Sequence, residues 1–300
     1  MYNQIKTNID ISFKFKNQYI FKNTTEKLWT CMFAKIYNSQ NNLKNNSNDE
    51  QINLIFNKFL NILDDFSKLN WFSNVVLKFY DNLTTCIDNL LNIRDMLVEE
   101  IKKINCLSKI ESISLEDVIP NDFANLYMYI IKYHTDNLDE QEKALKCLKS
   151  IINNRLFLPK KENDEFNSLL KEIERDNIAI LLDDDDEIIL HEEIGCGGFG
   201  KVYQGTFKQT AEIVAVKEMK PNIDLLDSFK SFYNEIFTMS KIKSKYTAEL
   251  VAIQYTYPLR ILTKYYQGLS LSERIYGQNE LKSGELTKIA YQIAIGMADL

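Results

Sequence analysis

The sequence predicts an α+β protein, in which a mainly α-helical N-terminal domain is followed by a strand-rich domain. Three observations support this. Residues 51 to about 180 repeat their apolar side chains with a helical period. No glycine occurs before Gly195, which suits a helical bundle. After Asp186 the apolar period becomes two, and four glycines fall between Gly195 and Gly200, which indicates strands joined by a tight turn.

Composition excludes several classes of protein. A chain of 300 residues predicts about two domains, and 45% hydrophobic residues can form a sizeable core. A net charge of -6 argues against a general binder of nucleic acid. The five cysteines are widely spaced and there are two histidines, so neither a disulfide framework nor a metal site is predicted. We expect a cytoplasmic protein with no secretory signal and no transmembrane segment.

The N-terminal domain is divided by its periodicity. Residues 1–50 form a first segment, with a strand over 8–16, a helix from Thr24 and a polar, Asn-rich loop over 38–50. Residues 51–182 are predicted to form a helical bundle, in which Pro120 begins one helix. Its apolar stripes are expected to form a core, and a surface for a partner helix is compatible with this. The acidic run 183–187 is predicted to be a linker, because adjacent carboxylates repel one another.

The glycine-rich stretch "EEIGCGGFGKVYQGTF" indicates a phosphate-binding turn, because glycine lets the backbone turn tightly and approach an anion closely. Two of the three interpretations fail on the residues that come after the glycines. The dinucleotide fingerprint G-x-G-x-x-G requires a helix directly after it, whereas "KVYQGTF" has the residues of a strand. The P-loop of NTPases requires Ser or Thr after G-x-x-x-x-G-K, whereas Val202 stands there without an oxygen ligand for magnesium.

The third interpretation fits two separate motifs. Gly195, Gly197, Gly200 and Val202 match G-x-G-x-x-G-x-V between two strands, and "VAVK", ending at Lys217, matches V-A-I-K on the next strand. With these residues, 188–300 resembles the protein kinase family, and "ILTKYYQGLSL" is most similar to the tyrosine-kinase-like group. The resemblance implies an N-lobe with an antiparallel five-stranded sheet and a C-helix, followed by the start of the C-lobe.

The resemblance also implies a binding site for ATP. Lys217 would hold the α- and β-phosphates, and Glu235, on the helix "SFKSFYNEIFTMSKI", would pair with Lys217. Val202 and Ala215 would enclose the adenine. Together with these residues, the expected cofactor-binding set contains Ile194, Gly195, Cys196, Gly197, Gly198, Phe199, Gly200, Lys201, Thr263 as gatekeeper, and Lys264 and Tyr266 in the hinge.

The motifs H-R-D-x-x-x-x-N, D-F-G and A-P-E do not occur in the 300 residues. The resemblance therefore implies that the magnesium ligands and the catalytic base are not part of this chain, although the family uses ATP and Mg²⁺. Two functions follow as hypotheses. The first is a protein kinase acting on Ser, Thr or Tyr of a protein substrate, with the helical domain as a regulatory or partner-binding region. The alternative is a nucleotide-binding pseudokinase whose helical bundle carries the output.

We expect the purified chain 1–300 to show no phosphotransfer, because the groups that bind the metal and orient the hydroxyl are missing from it. A radiolabelled ATP assay with a generic protein substrate checks this. Phosphate incorporation that disappears in Lys217→Met would contradict the expectation.

Overall fold

A computed structural model describes two compact units, Met1–Lys161 and Glu162–Leu300. The residues that it describes are 21, 23–24, 27, 57, 72–105, 115–116, 118–184, 186–198, 200–220, 225–242, 244–268, 270–277 and 283–299. The predicted strand over 8–16 and the Asn-rich loop over 38–50 lie outside these residues. Asn23, Thr24 and Lys27 are helical, in agreement with a helix that begins near Thr24.

The first unit consists of helices over its described residues. A π-helical segment, Phe72–Val76, continues into one α-helical turn, Leu77–Phe79. Three longer helices come next, α1 (Thr84–Asn105), α2 (Ile119–Lys132) and α3 (Leu138–Asn153). Pro120 stands in the first turn of α2, where its missing N–H is not needed. The Asn137 side chain accepts hydrogen bonds from the backbone N–H groups of Asp139 and Glu140 and so caps α3.

A buried carboxylate joins two distant parts of this unit. Asp122 in α2 is fully buried and accepts hydrogen bonds from the Asn23 backbone N–H at 3.0 Å and the Thr24 backbone N–H at 2.7 Å. The Asn23 side-chain amide donates to the same carboxylate at 3.0 Å. Burial disfavours the charged form and raises the pKa of Asp122 from 3.8 to about 6, although the hydrogen bonds from Thr24 and Asn23 oppose the shift.

The second unit is built around a six-stranded sheet. It contains α4 (Lys160–Arg175), of which nearly all lies in this unit, and the strands β1 (Ile180–Leu182), β2 (Ile188–Cys196), β3 (Gly200–Phe207) and β4 (Glu212–Met219). The helix α5 (Leu225–Lys241) precedes β5 (Leu250–Gln254) and β6 (Arg260–Lys264), and α6 (Leu271–Tyr276) and α7 (Ser283–Ala298) complete the unit. The strand order is β1-β5-β6-β4-β3-β2.

The α+β fold class predicted from the sequence is confirmed, and its strand count is corrected. Five strands pair antiparallel, as the resemblance implied. The sixth strand, β1, pairs with β5 in the parallel sense, with Ile180 opposite Ala252. A strand of three residues is too short to show an apolar period, so the sequence pattern could not identify it.

The two faces of the sheet differ in how they are packed. Val214 and Val216 on β4 are fully buried and pack with Ile188, Phe207 and Leu262 on one face. Because successive side chains of a strand alternate, Ala215 and Lys217 lie on the opposite face. Glu218 on β4 and Arg260 on the neighbouring strand β6 form a largely buried ion pair, with a nitrogen-to-oxygen distance of 2.7 Å. The sheet therefore presents one well-packed face and one face that is available to a site.

The division between the units differs from the predicted linker at 183–187. The chain divides between Lys161 and Glu162, so α4 and β1 belong to the strand-rich unit. Asp183, Asp184 and Asp186 are exposed, as repulsion between carboxylates predicts. Their segment is a turn inside the second unit, because β1 before it pairs with β5, and the Thr256 hydroxyl donates to the Asp183 carbonyl at 2.8 Å.

Among the residues that the structure describes, no helix is both long enough and apolar enough to cross a lipid bilayer.

α6 begins with a capping box, in which the Ser270 hydroxyl accepts from the Glu273 backbone N–H and the Glu273 carboxylate accepts from the Ser270 backbone N–H.

Asp122→Asn is expected to change how the stability of the first unit depends on pH. The pKa of Asp122 in the folded state lies above its ordinary value, so the folded state favours the protonated carboxyl. The contribution of Asp122 to the free energy of unfolding is therefore fully present below pH 3.8 and is lost as the pH rises through 6. Asparagine does not titrate. A pKa shift of this size corresponds to about 3 kcal/mol. Between pH 4 and pH 7 the free energy of unfolding of the wild type should fall by this amount relative to that of the variant.

Urea denaturation followed by tryptophan fluorescence measures this effect, because Trp29 and Trp71 both belong to the first unit. Asp88→Asn, which changes an exposed carboxylate of the same unit, is the matched control and should keep the wild-type pH profile. Parallel stability curves for the wild type and Asp122→Asn would show that Asp122 does not titrate in this way.

Candidate active site

The alternation along β4 places one lysine beside a carboxylate on α5. Lys217 lies on the face of β4 opposite the buried Val216, and the Lys217 Nζ atom is 2.6 Å from Glu235 Oε2. Both side chains are only partly exposed. A hydrogen bond between an ammonium and a carboxylate is about twice as strong as a neutral one, so this contact fixes both groups. The structure therefore brings together the two residues that the sequence assigned to catalysis.

α5 holds Glu235 in place through its apolar stripe. Leu225, Phe229, Phe232 and Ile236 recur with helical spacing and are all buried. Glu235 precedes Ile236 and lies at the border of this stripe, which explains its partial exposure. Phe232 and Ile236 are fully buried, and Met239 lines a cavity beside Glu235.

The glycine-rich segment is the turn of a hairpin between β2 and β3. Gly195 pairs with Val202 and Cys196 pairs with Lys201. The Gly197 backbone N–H donates to the Gly200 carbonyl at 2.9 Å and closes the turn. Phe199 lies outside the described residues. The glycines therefore lie between two strands. This agrees with the prediction of a strand, and not a helix, directly after them.

The glycines of this turn meet different steric limits. A Cβ atom at Gly200 would lie 2.4 Å from the Glu218 carbonyl oxygen on β4, which is closer than real Cβ atoms approach. At Gly197 and Gly198 a Cβ atom would meet nothing within 4 Å. Gly200 is therefore required for the close approach of β3 to β4, whereas Gly197 and Gly198 leave open space above the turn.

Two cations contact the hairpin. Lys220 donates to the Gly197 carbonyl at 2.9 Å and contacts the Cys196 Sγ atom at 3.2 Å. Lys201 donates to the Glu193 carboxylate at 2.8 Å, and this hydrogen bond raises the pKa of the lysine. Lys220 lies just after β4 and belongs to none of the sequence motifs.

A cavity of about 390 Å³ opens between the sheet and α5. Five of the predicted site residues line it, namely Val202, Ala215, Lys217, Glu235 and Thr263. Their common location follows from the register, because Val202 and Ile261 both pair with Lys217, and Ala215 pairs with Thr263. Residues paired across neighbouring strands share a face of the sheet. The cavity therefore combines apolar walls with one ion pair.

The cavity has five further wall residues to which the sequence assigned no site role, namely Met239, Ile242, Thr247, Ala248 and Ile261. The alternation of β6 could have identified Ile261. Thr247 and Ala248 belong to the connection between α5 and β5, where no periodicity applies.

Other predicted binding residues lie away from the cavity wall. Ile194 is 44% exposed, and Gly195, Cys196, Gly197, Gly198, Gly200 and Lys201 belong to the hairpin. Tyr266 is 59% exposed. The Lys264 backbone N–H, predicted to lie in the hinge, donates to the Glu249 carbonyl at 3.0 Å. This hydrogen bond joins the end of β6 to the residue before β5, inside the sheet.

The described residues contain no group of three or more His, Cys, Asp or Glu side chains arranged to hold a metal ion. Glu235, the carboxylate on the cavity wall, is engaged by Lys217. These residues do not fit a magnesium site, so no step of the chemistry is assigned to one.

Comparison with known proteins agrees with this geometry. Residues 188–300 match the family model of protein tyrosine and serine/threonine kinases. The receptor-like kinase LIP1 of Arabidopsis thaliana is 31% identical over 109 residues, which are 35% of this chain and 17% of that protein. The chain thus spans less than a fifth of the length of this relative. The matched residues, 188–300, contain the glycine-rich hairpin, Lys217, α5 with Glu235 and the cavity between them.

Gly200→Ala is expected to destabilise the hairpin, because the new methyl group would overlap the Glu218 carbonyl oxygen. Overpacking of this kind costs about 1–3 kcal/mol. Amide hydrogen exchange of the β3 and β4 peptides measures the loss of protection. Gly197→Ala is the matched control and should leave this protection unchanged, since its methyl group meets open space. Equal behaviour of the two variants would contradict the steric explanation.

Proposed function

We propose that the second unit binds ATP in the cavity between the sheet and α5, as part of a protein kinase that phosphorylates Ser, Thr or Tyr of protein substrates. The observation that carries the proposal is the ion pair between Lys217 and Glu235 on the wall of that cavity. A lysine held by a helix carboxylate, next to a glycine-rich hairpin, is the arrangement that kinases use for the phosphates of ATP. The family that matches residues 188–300 generally uses ATP and Mg²⁺.

The cavity suits the parts of a nucleotide. Its volume of about 390 Å³ falls within the usual range for small-ligand sites. Val202 and Ala215 offer apolar surfaces on the wall for the flat adenine ring. Lys217 supplies a positive charge for the phosphates, and Glu235 keeps the lysine from turning away. The open space above Gly197 and Gly198 leaves room for phosphate groups close to the hairpin.

Finer assignments are also proposals. The tyrosine-kinase-like group is supported by the passage "ILTKYYQGLSL", and we assign the gatekeeper position to Thr263 on the cavity wall. We propose that the helical first unit binds a protein partner or regulates the kinase. Cys147 and Cys196, which form no disulfide among the described residues, support a reducing compartment and hence a cytoplasmic location.

A nucleotide-binding pseudokinase, whose helical bundle carries the output, is a second function that the same cavity supports. A nucleotide-binding pseudokinase needs the cavity and Lys217 but does not need phosphoryl transfer. Both functions share the same nucleotide site, so a binding experiment tests the property that they have in common.

The chain 1–300 is expected to bind a fluorescent ATP analogue, with competition by unlabelled ATP, in an anisotropy titration. Lys217→Met should weaken binding about tenfold, because a hydrogen bond to a charged group contributes about 1.5–3 kcal/mol. Lys208→Met, which changes an exposed lysine at the turn between β3 and β4, is the control and should bind like the wild type. If Lys217→Met keeps the wild-type affinity, Lys217 does not hold the nucleotide.

A further inference from the structure

The helix α4, which precedes the matched kinase region in the chain, packs on the helix that carries Glu235. Phe166 of α4 is fully buried, and its ring lies edge-on against that of Phe229, with a centroid distance of 4.9 Å. Its ring centroid is 6.3 Å from those of Phe232 and Tyr233. Aromatic pairs in this range attract each other beyond the effect of burial alone. Phe166 therefore anchors α4 to the middle of α5.

A second contact lies on the other side of Glu235. Lys241, the last residue of α5, forms an ion pair with Glu172 of α4. Both side chains are partly exposed, so this pair contributes orientation more than stability. The two contacts bracket Glu235 along α5, one before it at Phe229 and Tyr233 and one after it at Lys241. A helix held at both sides of a residue cannot easily rotate that residue away.

α4 is itself fixed to the sheet. It ends at Arg175, and soon after it Asn177 has a φ of 49°, a left-handed conformation that asparagine tolerates. The Ile178 backbone N–H donates to the Ile173 carbonyl at 3.0 Å, which closes the end of the helix. Two residues later β1 begins and pairs with β5. α4 therefore connects the edge of the sheet to α5 through a short, hydrogen-bonded link.

We propose that α4 is a positioning helix for the Lys217–Glu235 ion pair, with Phe166 and Glu172 as its positioning residues. The inference rests on the proposed function in one respect, namely that this ion pair holds the nucleotide. The contacts form a closed path from the sheet through β1, α4 and α5 to Glu235, and back to the sheet through Lys217. Loss of α4 from this path releases α5 and with it Glu235. Because α4 begins at the division between the units, it also joins the helical unit covalently to this path.

The first test measures the ion pair itself, without nucleotide. In the full chain, brief acylation by an amine-reactive ester and subsequent mass spectrometry give the modification rate of Lys217, with the exposed Lys230 of α5 as an internal reference. Phe166→Ala should raise the Lys217 rate relative to Lys230 roughly fivefold, the lower range of coupling between distant sites. Phe166→Leu, which keeps apolar bulk, should restore most of the protection.

Phe157→Ala is the matched control, because it removes an equally buried ring from the first unit. It should leave the Lys217 rate unchanged. If Phe166→Ala is folded by circular dichroism and Lys217 still reacts at the wild-type rate, the proposal is overturned. The same holds if Phe157→Ala raises the rate as much, since the effect would then reflect general destabilisation.

The second test does not depend on a buried residue and so remains decisive if Phe166→Ala fails to fold. Glu172→Lys places like charges together and should weaken binding of the fluorescent ATP analogue and raise the Lys217 acylation rate, each roughly fivefold. Adding Lys241→Glu reverses the charges and should restore both values. If the reversed pair does not restore them, or if Glu172→Lys changes neither, Glu172 does not position α5.

The two readouts separate the inference from the proposed function. A wild-type chain that binds no nucleotide overturns the proposed function, while the acylation rates still decide whether α4 holds the ion pair. A chain that binds nucleotide normally in Glu172→Lys, with unchanged acylation, overturns the inference and leaves the proposed function standing.

Discussion

The contact between Lys217 and Glu235 is the interaction on which the site depends, because it joins the sheet to α5. Lys217 is fixed by the alternation of β4 and Glu235 by the apolar stripe of α5, so each group arrives from a different element. Their hydrogen bond therefore fixes the position of α5 relative to β4. The cavity depends on it as well, because Val202, Ala215 and Ile261 share one face of the sheet through the strand register, and α5 supplies the opposite wall.

The sequence identified the parts of the site that local rules determine. The glycine turn and the strand after it were predicted from the residues themselves, and the structure contains both. The pairing of Lys217 with Glu235 was implied by the resemblance to the kinase family, and the structure brings the two side chains together. The sequence did not identify β1, because three residues show no period and the partner strand β5 lies about seventy positions away. It also did not assign α4 to the second unit, because its aromatic contacts to α5 are tertiary. The exposed acidic run after β1 has the composition of a linker, although it is a turn within the unit.

Sterics and electrostatics act at separate places in this molecule. Gly200 is required because the Glu218 carbonyl leaves no room for a side chain, whereas Gly197 and Gly198 leave space that a ligand can use. In the first unit, Asp122 is buried beneath the segment at Asn23 and Thr24 and is held by their N–H groups. Burial there raises the pKa of the carboxyl, while in the second unit the Lys217–Glu235 pair stays partly exposed to solvent.

The central claim is that Lys217 and Glu235 act as one unit in holding the phosphates of ATP. A double-mutant cycle on nucleotide affinity tests it most directly, with Lys217→Met, Glu235→Gln and the double variant measured against the wild type. The account predicts that each single change weakens binding and that the double variant is no weaker than Lys217→Met, because Glu235 acts only through the lysine. Additive losses in the double variant would contradict the account, since they would show that the two residues contribute independently.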